Sequence, residues 1–288
     1  MYTTLISATD LLGLVDARQP LLVMDCSFDL MNPQAGRRQF EEAHVPGAVY
    51  VHLDEHLSQK TGDDRASGGR HPLPSRETFA ARLRALGLNS DMQVVAMDRQ
   101  GANHCGRLWW MLKWCGHEAV AVLDGGLGAW QAAGGATVAG ASPVAPAPGN
   151  FTLAPPLVRV VDAQGIATRL GDPGLTVIDA RAAARFRGEV EPLDPVAGHI
   201  PGALNRPFTD NIAADGRFRP AAELRADFMR LLAGRDPATV VHQCGSGVSA
   251  VPNLLAMEIA GLGRTALFPG SWSEWCNTPG LPCARAQD

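Results

Sequence analysis

One stretch of this chain joins a nucleophile, two glycines and a change of periodicity: Val240-Val241-His242-Gln243-Cys244-Gly245-Ser246-Gly247-Val248-Ser249-Ala250. The apolar run reads as a strand and Cys-Gly-Ser-Gly as a tight loop. Leu254, Leu255, Met257 and Ile259, at three- and four-residue spacing, read as a helix. Cys244 is then expected at the C-terminal end of a strand, facing a helix N-terminus, the edge where open α/β sheets take their ligands. Gly245 and Gly247 allow backbone conformations closed to other residues. Such a loop can turn several amides toward an anion, and the helix dipole adds positive potential there. These surroundings lower a cysteine pKa from about 8.5 to roughly 3.5–7.5. The expectation is a nucleophilic thiolate in an anion cradle, with Gly245, Gly247, Val248 and Ser249 forming the cradle and Pro252 inside the first helical turn. A lone cysteine is more often simply core; the Gly-x-Gly directly after this one favours chemistry.

The elements that must position the loop come in two similar sets. Leu21–Asp25 matches Leu175–Asp179, and His44-Val-Pro-Gly-Ala48 matches His199-Ile-Pro-Gly-Ala203. Val94–Asp98 matches Val240–Cys244, and Gly125–Trp130 matches Gly270–Trp275, the four displacements being 154, 155, 146 and 145 residues. Four matches in one order with a slowly drifting offset indicate a duplicated domain. Within each half, short apolar runs alternate with amphipathic stretches. Helices are expected at 78–86, 107–115, 162–170, 221–232 and 250–260, and short strands at 120–123 and 266–268. That alternation predicts an α/β fold: two domains, each a mostly parallel sheet with helices on both faces. The boundaries expected are 1–140 for the first domain, 141–156 for a linker rich in Pro, Ala and Gly, and 157–288 for the second. The long irregular stretch 58–74 has the length of a functional loop.

The duplication supplies an internal control. Asp98 stands where Cys244 stands, and the residues after it lack the Gly-x-Gly spacing. A carboxylate in an anion cradle repels the anion and is not a thiol nucleophile, so the first domain is expected to be inactive. Cys105 reads as a packed helix residue. Trp130, Trp275 and the two His-x-Pro-Gly-Ala segments read as structural, Pro-Gly making a turn, whereas Ser271-Trp272 is expected to border the pocket.

The 288 residues, 46% hydrophobic and 19% charged with net charge −4, describe a globular protein without general attraction for nucleic acid or membrane. No apolar run reaches membrane-spanning length and no secretory signal is expected. The six cysteines are scattered without a Cys-x-x-Cys pair, so neither a disulfide framework nor a metal site is expected, and a cytoplasmic location is the simplest one.

The loop Cys244-Gly-Ser-Gly-Val-Ser-Ala250 resembles the active-site loop of the rhodanese superfamily, and within it the Cys-Gly-Ser-Gly-Val-Thr-Ala loop of the 3-mercaptopyruvate sulfurtransferases, Ser249 standing for Thr. Thiosulfate rhodaneses carry Cys-Arg-Lys-Gly-Val-Thr instead. The resemblance implies a sulfurtransferase with tandem domains and an inactive first half. It moves sulfur from a small-molecule donor through a Cys244 persulfide to a thiol, cyanide or a thioredoxin-like protein, with no cofactor. Arg185-Phe-Arg-Gly188 resembles the segment whose first Arg binds the donor anion, which assigns that role to Arg185. Nine residues on, where such enzymes often have a second Arg, stands Asp194, a departure that removes one bidentate clamp. Asp54, in Val51-His-Leu-Asp54, and His71, in Arg70-His71-Pro-Leu-Pro74, resemble first-domain residues that act with a serine, here Ser246, as a proton-handling group. Thiosulfate as donor is the alternative. A non-catalytic sulfur-binding module and a cysteine phosphatase rank lower, the latter because Ala250 stands where a phosphatase needs Arg.

Overall fold

The computed structural model describes residues 1–141 and 147–285, so residues 142–146 of the expected linker lie outside the described residues. Two compact units emerge. One comprises Met1–Gln59, Pro74–Leu157 and Ala213–Phe218; the other comprises Lys60–Leu73, Val158–Ile212 and Arg219–Asp288.

The first unit runs β1 (Leu5–Ile6), α1 (Ala8–Asp16), β2 (Leu21–Asp25), α2 (Ala35–Glu42), β3 (Val49–Tyr50), α3 (Arg76–Ala85), β4 (Gln93–Met97), α4 (Cys105–Trp114), β5 (Val120–Leu123) and α5 (Gly126–Ala132). The second runs β6 (Arg159–Val160), α6 (Ala163–Ala167), β7 (Thr176–Asp179), α7 (Ala183–Phe186), β8 (Leu204–Asn205), α8 (Ala221–Leu232), β9 (Val240–Gln243), α9 (Val251–Ile259), β10 (Ala266–Leu267) and α10 (Ser271–Trp275). Both sheets are five-stranded, in the orders β1-β5-β4-β2-β3 and β6-β10-β9-β7-β8, with every pairing parallel. The identical order is the duplication made visible in three dimensions.

Local sequence explains the elements. β2, β4 and β5 are continuous apolar runs because helices cover both faces of a parallel sheet. Ser7, Ser75 and Asp162 start α1, α3 and α6 by accepting amides of Asp10, Thr78 and Gly165. Helix α6 is shorter than the expected 162–170: Asp162 is its cap rather than its first turn, and turns follow Ala167. Helix α4 is buried on every side, which forces partners onto its charges: Arg107 donates to the Leu57 carbonyl, and Lys113 pairs with Glu118 at 3.2 Å.

Trp130 belongs to the first core and Trp272 and Trp275 to the second, all of them buried. The two His-x-Pro-Gly-Ala segments do the same structural work. His44 stacks on Phe40 and His199 on Phe186, each with ring centroids 3.9 Å apart, and each histidine Nδ1 bonds the carbonyl of its stacking partner.

The segment 60–73 contains neither helix nor strand and packs as part of the second unit. His71, expected as a first-domain residue, therefore belongs to the same compact unit as Cys244. Sequence position misled here because the loop leaves its own half before α3 begins, and nothing local in it marks the exchange.

Candidate active site

β9 delivers Cys244 to the C-terminal edge of its sheet, directly ahead of the loop that leads into α9, where Pro252 occupies the first turn. The loop is braced from the β10–α10 connection. The Cys244 amide donates to Ser271 Oγ at 3.1 Å, while the amides of Trp272 and Ser273 donate to the carbonyls of Cys244 and Gly245 at 3.0 and 2.9 Å. Ser271 adopts φ +54°, a conformation uncommon outside glycine, and its hydroxyl donates to the Phe268 carbonyl at 2.9 Å. Trp272 thus contributes through its backbone, with its indole buried in the core and donating to the Val196 carbonyl. Gly247 has φ +73°, and a Cβ there would lie 2.1 Å from the Pro269 carbonyl oxygen, so the loop can close only with glycine at this place. Gly245 and Val248 are buried and Ser249 half-buried.

Cys244 is 2% exposed, Ser246 7% and His71 2%, so all three side chains are buried. His71 Nδ1 lies 2.8 Å from Ser246 Oγ, a buried hydrogen bond across 175 residues of sequence. Asp54 is half-buried in the first unit, its amide donating to His52 Nδ1 at 3.1 Å.

Three arginines follow β7, and they part company. Arg181 is 4% exposed and chelates Asp179 through Nε and Nη2, with Nη1 3.3 Å from Glu191 and the guanidinium 4.7 Å above the Trp272 ring. Burial opposes its charge; Asp179, Glu191 and Cys244 outweigh that and raise its pKa. Arg185 forms a two-point pair with Glu191, Nη2 to Oε1 at 2.5 Å and Nε to Oε2 at 3.1 Å, and lies 3.5 Å from Asp194. Burial alone would raise the Glu191 carboxyl, but Arg185, the Leu193 amide and Arg181 hold it below the usual range. Arg187 is exposed and pairs with Glu189, away from the loop. Arg70, to which no sequence signal pointed, reaches in from the 60–73 segment. Its Nη1 lies 2.6 Å from Asp194, and its Nη2 is 3.2 Å from where a Cβ on Gly245 would sit.

The model of the Rhodanese-like domain matches residues 4–133 and again 162–278. The chain belongs to the rhodanese family. This rhodanese is 47% identical over 265 residues to a probable 3-mercaptopyruvate sulfurtransferase of Pseudomonas aeruginosa, covering 92% of each chain. It is 41% identical over 285 residues to a putative thiosulfate sulfurtransferase, SseB, of Mycobacterium tuberculosis, covering 98% of this chain and 96% of that one. Among solved structures, SseA of Escherichia coli, of the 3-mercaptopyruvate sulfotransferases, superposes with TM-score 0.79 at 32% identity, over 95% of this chain and all of its own.

The first rhodanese unit shows what its own loop amides converge on. Asp98 follows β4 as Cys244 follows β9, and its carboxylate accepts four amides. Gln100 and Ala102 donate to Oδ1 at 2.9 and 3.1 Å, and His104 and Cys105 donate to Oδ2, both at 2.8 Å. The cradle there is filled by the protein's own carboxylate. Burial, then the Asp98 charge, push the Cys105 thiol well above its ordinary range, so it remains a packed residue at the start of α4.

Proposed function

We propose that this rhodanese is a sulfurtransferase that takes sulfur from 3-mercaptopyruvate onto Cys244 and passes it to a thiol acceptor. The observation that carries this reading is the buried Ser246–His71 hydrogen bond on the loop that Cys244 opens. The Cys244 thiolate attacks the donor's thiol sulfur. The carbon–sulfur bond breaks, its electron pair goes to the departing carbon as the pyruvate enolate, and Cys244 keeps a persulfide bearing the donor's thiol proton. Ser246, coupled to His71, gives the enolate its proton, and the family resemblance assigns Asp54 to the same proton-handling group. The amides of Gly245, Gly247, Val248 and Ser249 are assigned to the negative charge that the persulfide carries once its proton has passed to solvent, as the Asp98 loop's amides serve a carboxylate. Arg185 orients the donor carboxylate. A thiol, cyanide or a thioredoxin-like protein in a reducing cytoplasm then attacks the outer sulfur and releases Cys244. In this reading residues 1–140 form an inactive domain, 141–156 a linker and 157–288 the catalytic domain, completed by the 60–73 segment.

Thiosulfate is the second reading, and the SseB name on a 41% identical relative favours testing it. Charge argues against it: the loop carries no cationic side chain, and Arg70 and Arg185 each face a carboxylate, so the mouth offers a dianion little net attraction. Steady-state kinetics with both donors decides. Higher kcat/KM with mercaptopyruvate, and one labile extra sulfur on the Cys244 peptide by mass spectrometry, are expected. Higher kcat/KM with thiosulfate, or full turnover in Cys244→Ser, overturns the reading.

A further inference from the structure

Where the sequence promises the loss of a guanidinium at position 194, the structure restores one from elsewhere. Asp194, its side chain 3% exposed, binds Nη1 of Arg70 at 2.6 Å. The Arg70 backbone is fixed as well: its amide donates to Ser273 Oγ at 2.9 Å, and His71 beside it is tied to Ser246. Gly69 has φ +83°, and a Cβ on it would lie 2.4 Å from the Gly270 carbonyl oxygen, so the segment lies directly on the β10–α10 connection that braces the Cys244 loop. Held at these points, Arg70 puts Nη2 3.2 Å, and Arg185 puts Nη1 3.6 Å, from the place a Gly245 Cβ would occupy. Two guanidiniums thus flank the residue next to the nucleophile. Arg70 also lines an open cleft of about 460 Å³ with Leu193, Asp194, Ser273, Glu274 and Asn277, so it is reachable from solvent. Its Nε is buried without a hydrogen-bond partner, a donor left over after Asp194 is served.

We propose that Arg70, positioned by Asp194, is the second carboxylate-binding residue of the donor site and shares the donor anion with Arg185; this rests on the proposed donor reaction at Cys244. Asp194 then acts as a positioning residue rather than as a defect. It holds the Arg70 fork in one rotamer, so that less side-chain freedom is lost when a planar carboxylate arrives. It also offsets the second positive charge, which keeps the site suited to a monoanion.

The test is steady-state kinetics on the full chain, with pyruvate inhibition as a measure of carboxylate binding and inorganic polysulfide loading of Cys244 as a donor without a carboxylate. Arg70→Ala is expected to raise the KM for mercaptopyruvate and the pyruvate inhibition constant together by about tenfold or more, kcat changing far less, and to leave polysulfide loading intact. Asp194→Ala should raise the same two constants severalfold. The double variant Arg70→Ala/Asp194→Arg should recover part of the loss, because it returns a guanidinium to the same spot. Arg185→Ala is the reference. If it raises both constants while Arg70→Ala leaves them within about twofold, the Arg70 assignment is overturned and the donor reading stands. If neither arginine moves them, the donor reading itself falls. Loss of polysulfide loading in Arg70→Ala would show a collapsed loop and also overturn the binding role.

Discussion

The Asp98 cradle makes a prediction whose size follows from four distances. Replacing Asp98 by Asn exchanges one acceptor oxygen for an NH2 group. The oxygen that remains can still serve one pair of amides, either Gln100 and Ala102 or His104 and Cys105. The other pair loses its acceptor and faces a second donor in a site where Asp98 is only 4% exposed. A buried donor left unsatisfied costs about 1–3 kcal/mol, so two cost roughly 2–6 kcal/mol, a large part of the stability of an ordinary domain. With a urea slope of about 2 kcal/mol per molar, the midpoint of the transition that unfolds the first unit should fall by roughly 1–3 M. Tryptophan fluorescence reports it, since Trp109, Trp110, Trp114 and Trp130 lie in that unit. A second arm uses Asp98→Ala, which vacates the cradle. Added sulfate should then raise the midpoint while leaving the parent protein unchanged, because an anion can replace the lost carboxylate. A midpoint shift under about 0.3 M in Asp98→Asn, together with no sulfate effect on Asp98→Ala, would refute the idea that this loop needs an anion at its centre.

Two further outcomes follow from the same architecture. His71→Ala in the full chain should lower kcat with mercaptopyruvate by about a hundredfold or more, as removal of a proton-transfer group does, and a fragment of residues 158–288, which lacks His71, should be as weak; a loss under threefold in the full-chain variant would remove His71 from the reaction. His242, fully buried in β9 with Nε2 3.2 Å from Met257 Sδ, is pushed down to about 3, first by burial and then by Arg206. The unfolded chain takes up a proton as pH falls through about 6.5 and the folded chain does not until about 3, so stability is lost on acidification across that window, by about 2 kcal/mol at pH 5. Denaturation midpoints at pH 7.5 and pH 5 should show the drop, and His242→Leu should remove that share of it. An unchanged pH slope in the variant would refute this.

The repeat, the alternation of strands and helices, and the loop that follows β9 were all legible in the order of residues. These are local properties: β2, β5 and α8 occupy the expected 21–25, 120–123 and 221–232, because apolar runs and helical spacing are legible within ten residues of each other. The sequence also distinguished Asp98 from Cys244, since two halves of one chain serve as each other's reference. Which residues surround the thiol became visible only in the folded chain. His71 and Arg70 come from a segment without helix or strand, whose membership in the second unit depends on contacts some 120–200 residues distant, such as Arg70–Asp194 and Arg70–Ser273. The three arginines after β7 look alike in sequence, yet one is locked on Asp179, one stands beside Gly245 and one is in solvent. The sign of Asp194 was likewise unreadable in one dimension. A carboxylate in place of an arginine reads as a lost clamp until the guanidinium it holds is seen, because the charge that matters is the sum over neighbours that only folding brings together.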